Sequence, residues 1–306
     1  MESMESATNS PAATGEASGT TAPAPELVRL RLDVAYDGTD FHGWARQKPT
    51  EEGVVRTVAQ TLEDAIQLVA RQHCALTVAG RTDAGVHASG QVAHVDVPRS
   101  LLETRSVAGQ PQQLVRRLAR LLPDDLTVRK CTFAAEGFDA RFSALRRHYV
   151  YRVTTAPSGP LPTRARDTAL WTNDVELAAM QASADALLGL HDFAAFCKYK
   201  PHATTVRELQ NFTWHDISTE TEPQLYEARV TADAFCWSMV RSLVGACLTV
   251  GQGRRDLDFI PMLLQQSSRS SHVPVAEARG LSLVGVDYPE DSQLAARAEQ
   301  TRALRR

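Results

Sequence analysis

Hydrophobic and polar positions alternate over 28–36, with Val28, Leu30, Leu32, Val34 and Tyr36 on one side and Arg29, Arg31, Asp33 and Ala35 on the other. A period of two predicts a half-buried strand, and Asp37-Gly38 ends it as a turn. The period then lengthens. Thr57 followed by Gln60 forms a capping-box pattern, and Val58, Leu62, Ile66 and Val69 trace one face of a helix. Short apolar runs at 76–79 and 91–97 flank the glycines at 80, 85 and 90, which predicts strand, tight loop, strand, stopped by Pro98. Pro111 suits a helix start, Leu114, Leu118, Leu121 and Leu122 supply its apolar face, and Pro123-Asp124-Asp125 breaks it before a strand over 126–133.

The second half follows the same order with a different sequence. Tyr149, Tyr151 and Val153 alternate with Val150 and Arg152, and a Pro/Gly-rich loop covers 157–162. Asn173 with Glu176 resembles a second N-cap pair, Leu177, Met180, Ala184 and Leu187 continue the helix, and Gly189 closes it. Strands are predicted over 207–214 and 226–232. Val240, Leu243, Val244, Cys247 and Leu248 mark a helix closed by Gly251, 256–266 a short extra helix, and 281–288 the last strand. Two β-α-β-β-α-β units predict an α+β architecture, with ferredoxin-like or RRM-like halves and two antiparallel sheets, each carrying helices on one face. RNA-recognition modules share this element order. Their aromatic signature is absent here.

Composition sharpens the boundaries. The 306 residues, 43% of them apolar, suffice for two domains, and no apolar run of membrane-spanning length occurs. Residues 1–26 hold Glu2, Glu5, Glu16 and Glu26, no Lys or Arg, and almost no large apolar group, so a disordered N-terminal tail is expected. The expected domains are 27–135 and 136–289, followed by a polar C-terminal tail or loose helix over 290–306. Without the four acids of the N-terminal tail, the formal net charge of -3 becomes +1 for residues 27–306. The rest is near neutral, so an RNA partner needs a local basic patch. Five scattered cysteines without a Cys-x-x-Cys pair read as reduced, mostly buried thiols of a cytoplasmic protein. The absence of a basic-then-apolar leader agrees with that location.

Candidate chemistry concentrates in Gly80-Arg81-Thr82-Asp83-Ala84-Gly85-Val86-His87. A loop carboxylate serves as nucleophile, base or metal ligand, or merely closes an Asx-turn. His87, His94 and Asp96 offer further metal donors, but their spacing fits no common zinc or two-metal pattern, and a sheet histidine is ordinarily just hydrogen-bonded. Nucleophile-elbow, phosphate-loop and dinucleotide patterns are missing. Elimination leaves Asp83. The strip 146–151 alternates cations with aromatics, a pattern suited to phosphate and base contacts or to an ordinary strand with a core face. In 235–241, Arg241 lies in an apolar helix start and needs a counter-charge, for which Asp83 is a sensible partner. Lys198-Tyr199-Lys200 adds local cations.

These motifs resemble the tRNA pseudouridine synthase A (TruA) family. The resemblance rests on the Asp83 loop together with Tyr36-Asp37-Gly38-x-x-Phe41-x-Gly43-Trp44, Phe138-Asp139-Ala140-Arg141-Phe142-Ser143-Ala144, Arg147-x-Tyr149-x-Tyr151, Met239-Val240-Arg241-x-x-Val244-Gly245 and Gly280-Leu281-x-Leu283, in the family's order over about 28–289. It implies an isomerase without cofactor or metal that converts uridine to pseudouridine at positions 38–40 of the tRNA anticodon stem-loop. It also implies two domains around a central cleft and a homodimer. By resemblance, Asp83 is the nucleophile, Arg81 takes the place of the flipped nucleotide, Tyr149 packs on the uracil, Arg241 pairs with Asp83, and Leu281 walls the pocket. Arg147, Lys198 and Lys200 are expected as further substrate contacts. Two other readings stay open at this point: a non-catalytic tRNA-binding protein or chaperone, and a metal-dependent hydrolase using Asp83, His87, His94 and Asp96.

Overall fold

The alternation over 28–36 becomes β1 (Leu27–Tyr36), whose even-numbered residues from Leu30 onward are buried. The computed structural model describes residues 26–50, 53–201 and 203–303, so the disorder expected for 1–26 lies, apart from Glu26, outside the described residues. Thr57 caps α1 (Val58–Ala70): its side chain accepts the Gln60 amide, and Val58, Leu62, Ile66 and Val69 are buried. Then come β2 (Leu76–Val78), β3 (His87–Pro98), α2 (Arg99–Glu103), α3 (Gln113–Leu118) and β4 (Leu126–Phe133). Helix α2 was not expected. The second half runs β5 (Arg146–Thr154), β6 (Ala169–Leu170), α4 (Leu177–Asp185), β7 (Gly189–Asp192), β8 (Val206–Asp216), β9 (Leu225–Ala232), α5 (Met239–Gly251), α6 (Phe259–Leu264) and β10 (Leu281–Asp287). Helix α4 starts after Glu176, without a side-chain cap from Asn173. Gly189 does not close it. That residue opens β7 with φ +106°, where a side chain would be strained.

The expectation of two separate sheets is corrected. The described strands form one ten-stranded sheet in the order β4-β1-β3-β10-β5-β9-β8-β7, with β2 and β6 added alongside β3 and β5. The reason is local. Strand β2 is only three residues long and pairs with Val95, His94 and Ala93 of β3. The start of β3 is left with an open edge, and unpaired strand edges seek partners. Strand β10 fills it in parallel, placing Ser282 beside His87 and Leu283 beside Ala88, while its other edge pairs antiparallel with β5. The last strand of the chain thus bonds the two halves together just beyond the Asp83 loop.

Helices α1, α3, α4 and α5 bury their apolar faces in one continuous core with Leu30, Leu32 and Val34 of the first half and Phe212, Trp214 and Val230 of the second. The opposite face of the first half is covered as well. Ala79, Val92, Phe138, Ala140 and Leu294 form a second, smaller apolar cluster there. The stretch expected as a polar C-terminal tail or loose helix carries α7 (Leu294–Ala303), docked through buried Leu294 and Ala298 and through Arg302, which donates to Asp139 at 2.8 Å. No helix among the described residues is long and apolar enough to cross a membrane.

Candidate active site

Asp83 lies in the 79–86 connection between β2 and β3, and the 37–47 loop holds that connection in shape. The Trp44 amide donates to the Thr82 carbonyl at 3.0 Å and the Gly85 amide to Phe41 at 3.2 Å. The Thr82 hydroxyl meets the Tyr36 hydroxyl at 2.7 Å, and Gln91 Nε2 donates to the Gly80 carbonyl at 2.8 Å. The two loops are in close backbone contact. A Cβ at Gly38 would overlap the Val86 carbonyl, and Gly43, with φ +90°, lies against the Thr82 carbonyl. The Tyr36-Asp37-Gly38 and Phe41-x-Gly43-Trp44 pattern is therefore the mould of the Asp83 loop.

The Asp83 carboxylate is half-buried and faces the second half of the chain. Ser238 Oγ donates to its Oδ2 at 3.4 Å, and Arg241 Nη1 stands 3.9 Å from the same oxygen. Arg241 is fixed from behind: its Nε donates to the Ala276 carbonyl at 2.6 Å, and the Ala276 amide returns a bond to the Arg241 carbonyl at 3.1 Å. Ser238 precedes α5 in a left-handed conformation, φ 65°, uncommon for a residue with a side chain and frequent at working sites. Burial pushes the Asp83 carboxyl above its ordinary value. The Arg241 charge, hydrogen bonds from Ser238 and Trp237, and the Lys198 charge pull the other way without cancelling the rise.

Tyr149 is buried on β5, its ring edge-on to Phe235 at 5.1 Å between centroids. Burial raises its phenol pKa first, and the Tyr36 phenol and Asp83 carboxylate add to the rise, so it stays protonated. Leu281 opens β10 beside Tyr151 and is buried. A Cβ on the preceding Gly280 would come within 2.6 Å of the Arg152 carbonyl, which accounts for glycine there. Arg81 is exposed and bonds to no described residue. Lys198 and Lys200 are exposed, and the Lys198 ammonium lies 4.1 Å from the centre of the Trp237 ring.

One sequence expectation needs correction. Arg147 is not placed to touch a substrate. It is buried, and its guanidinium donates to the carbonyls of Asp233 at 2.7 Å, Ala79 at 2.8 Å and Arg141 at 3.0 Å. It ties three chain segments around the site together. Cys197 and Cys236 lie side by side, their Cα atoms 5.7 Å apart. The fold brings their loops together although 39 residues separate them, and no spacing motif marks the pair. Cys74, Cys131 and Cys247 are free and buried. Sequence reasoning also passed over Ser238, Trp237 and Phe235 individually, because single residues in a loop carry no period.

The four residues of the hydrolase reading do not converge. His87 Nδ1 accepts the Gly38 amide and His94 Nδ1 the Ala140 amide, each at 3.0 Å, while Asp96 is paired with Arg29 at 2.7 Å. Among the described residues no group of three or more His, Cys, Asp or Glu is arranged to hold a metal ion. What remains is a sheltered carboxylate facing a guanidinium, with a protonated aromatic alcohol nearby, suited to attack on an electron-poor carbon or to proton transfer.

Comparison with known proteins agrees with the motifs. Residues 34–134 and 183–289 match the family described as tRNA pseudouridine synthase. A protein named tRNA pseudouridine synthase A from Corynebacterium glutamicum is 65% identical over 91% of this chain and 95% of its own length. Proteins of the same name from Mycobacterium leprae and Frankia casuarinae are each 51% identical, over 92% and 91% of this chain and 96% of their own lengths.

Proposed function

Since the chain belongs to the tRNA pseudouridine synthase family of isomerases, we propose that it isomerises uridine at positions 38–40 of the tRNA anticodon stem-loop, with Asp83 as the nucleophile. A uridine in a stem is stacked and paired, so it must first leave the helix, at a cost of a few kcal/mol. Arg81, exposed and uncommitted, fills the gap. Ionised Asp83 attacks at the ribose C1′ or the uracil C6, and the N1–C1′ bond breaks. The uracil turns, a C5–C1′ bond forms, and the bond to Asp83 breaks, which returns the free carboxylate. C5 then loses its proton while N1 gains one, so product and substrate have the same formula. Tyr149 and Leu281 shelter the detached base.

The observation that carries this reading is the contact between halves: Asp83 Oδ2 lies 3.4 Å from Ser238 Oγ and 3.9 Å from Arg241 Nη1. A guanidinium at that distance favours the charged carboxylate that attack requires, against a burial that opposes it. Lys198 and Lys200 supply the local cations that a near-neutral chain needs to hold RNA. The same reading takes the protein as a cytoplasmic homodimer whose two subunits share one tRNA.

The test is direct. Unmodified tRNA is incubated with the protein, digested to nucleosides and analysed for pseudouridine, and the modified position is mapped along the strand. Pseudouridine at 38–40 is expected. No product with competent RNA, or product confined to another arm, overturns the reading, and binding without product returns the non-catalytic alternative.

A further inference from the structure

We propose that Trp237 and Lys198 form a binding site for a nucleotide adjoining the reacting uridine, in which the indole stacks the base and the ammonium meets the phosphate. This deepens the proposed function and rests on it. Trp44 and Trp214 are buried, whereas Trp237 is 46% exposed. It directly precedes Ser238, whose hydroxyl reaches Asp83. A large ring half in water beside a candidate nucleophile has no role in the core. Bases stack readily on such rings whatever their identity.

The site is held in place before RNA arrives. Cys197 and Cys236, one residue before Lys198 and one before Trp237, bring the two loops side by side with their Cα atoms 5.7 Å apart. The Lys198 amide donates to the Trp237 carbonyl at 2.9 Å, and its ammonium lies 4.1 Å from the ring centre. Side chain and backbone thus fix a cation against an aromatic surface, a pairing that matches one phosphate and one base. The loop continues outward through Tyr199, 81% exposed, which lengthens the same surface. None of these residues takes part in bond making in the reaction described above.

Binding is measured in an Asp83→Asn background, full-length, so that no turnover intervenes and any contact of Trp237 with the carboxylate is neutralised. The probe is an unmodified anticodon stem-loop transcript, followed by tryptophan fluorescence and by affinity. RNA should quench the parent. Trp237→Phe should retain most of the affinity and lose most of the quench, and Trp237→Ala should bind about tenfold more weakly. Lys198→Gln should lower the salt dependence by roughly one counterion. In the otherwise wild-type enzyme, Trp237→Ala should raise KM more than it lowers kcat. Unchanged affinity and quench in Trp237→Ala would overturn the inference while leaving the proposed function intact. Failure of the function itself would show separately, as wild-type protein that makes no pseudouridine.

Discussion

Arg241 reaches Asp83 only through space: its Nη1 is 3.9 Å from Oδ2, while its Nε is spent on the Ala276 carbonyl at 2.6 Å. The guanidinium is therefore anchored by backbone and offers its charge, more than a hydrogen bond, to the carboxylate. That division lets the ion pair open toward substrate without the arginine moving.

Because burial raises the Asp83 pKa and Arg241 is the largest opposing influence, the pH profile should report the pair. Attack needs the ionised form, so activity falls on the acid side as pH drops through the raised value. Arg241→Met should move this limb to higher pH, and each unit of movement lowers activity on the limb about tenfold. Rate against pH under single-turnover conditions checks it. An unmoved limb would mean that the arginine acts only in RNA binding.

A carboxyl whose folded pKa lies above its unfolded value contributes stability that is fully present below the ordinary value of 3.8 and is lost as pH rises through the raised one. At neutral pH the ionised Asp83 thus costs stability. Asp83→Asn should melt higher than wild type near pH 7, and the gap should close as the pH is lowered toward about 4. Thermal melts across that range read the effect.

Arg147 is expected to act on the fold and not on RNA contact. Arg147→Met strips three carbonyls of their donor, that of Ala79 buried, which costs about 2–3 kcal/mol. Denaturant titration should show the loss. At a temperature where the variant stays folded, KM for tRNA should change far less than for variants at Lys198.

Gly38→Ala tests the mould of the Asp83 loop. The added methyl collides with the Val86 carbonyl, so backbone must shift. A cost of about 1–3 kcal/mol is expected from overpacking. The loss of kcat should exceed it, on the order of 10²-fold, if the nucleophile is displaced by about 1 Å. Paired melting and kinetic measurements separate the two effects.

Much of this arrangement could be read from the chain alone. The alternation in β1 and the Thr57 cap needed only local rules, and the Asp83–Arg241 pairing followed from the cost of an unpartnered cation. The burial of Arg147 was in principle legible too, since it shares parity with Tyr149, Tyr151 and Val153, all four of which are buried. An arginine on a core face signals a structural hub. The β3–β10 joint was not legible, because only two residue pairs make it and the three-residue β2 gives no cue that an edge stays open. The docking of α7 was not legible, because two apolar contacts, Leu294 and Ala298, suffice for it. Ser238 and the Cys197–Cys236 pair depend on loops meeting in space, which periodicity does not encode.

The central claim is that the Asp83 carboxylate performs the chemistry. Isomerisation exchanges the C5 hydrogen of uridine for a bond to the sugar, so tRNA tritiated at uridine C5 releases its label to water as product forms. With enzyme in excess, wild type should release label. Asp83→Asn, folded and binding the same RNA, should release none above an enzyme-free blank. Release by Asp83→Asn at the wild-type rate would contradict the claim.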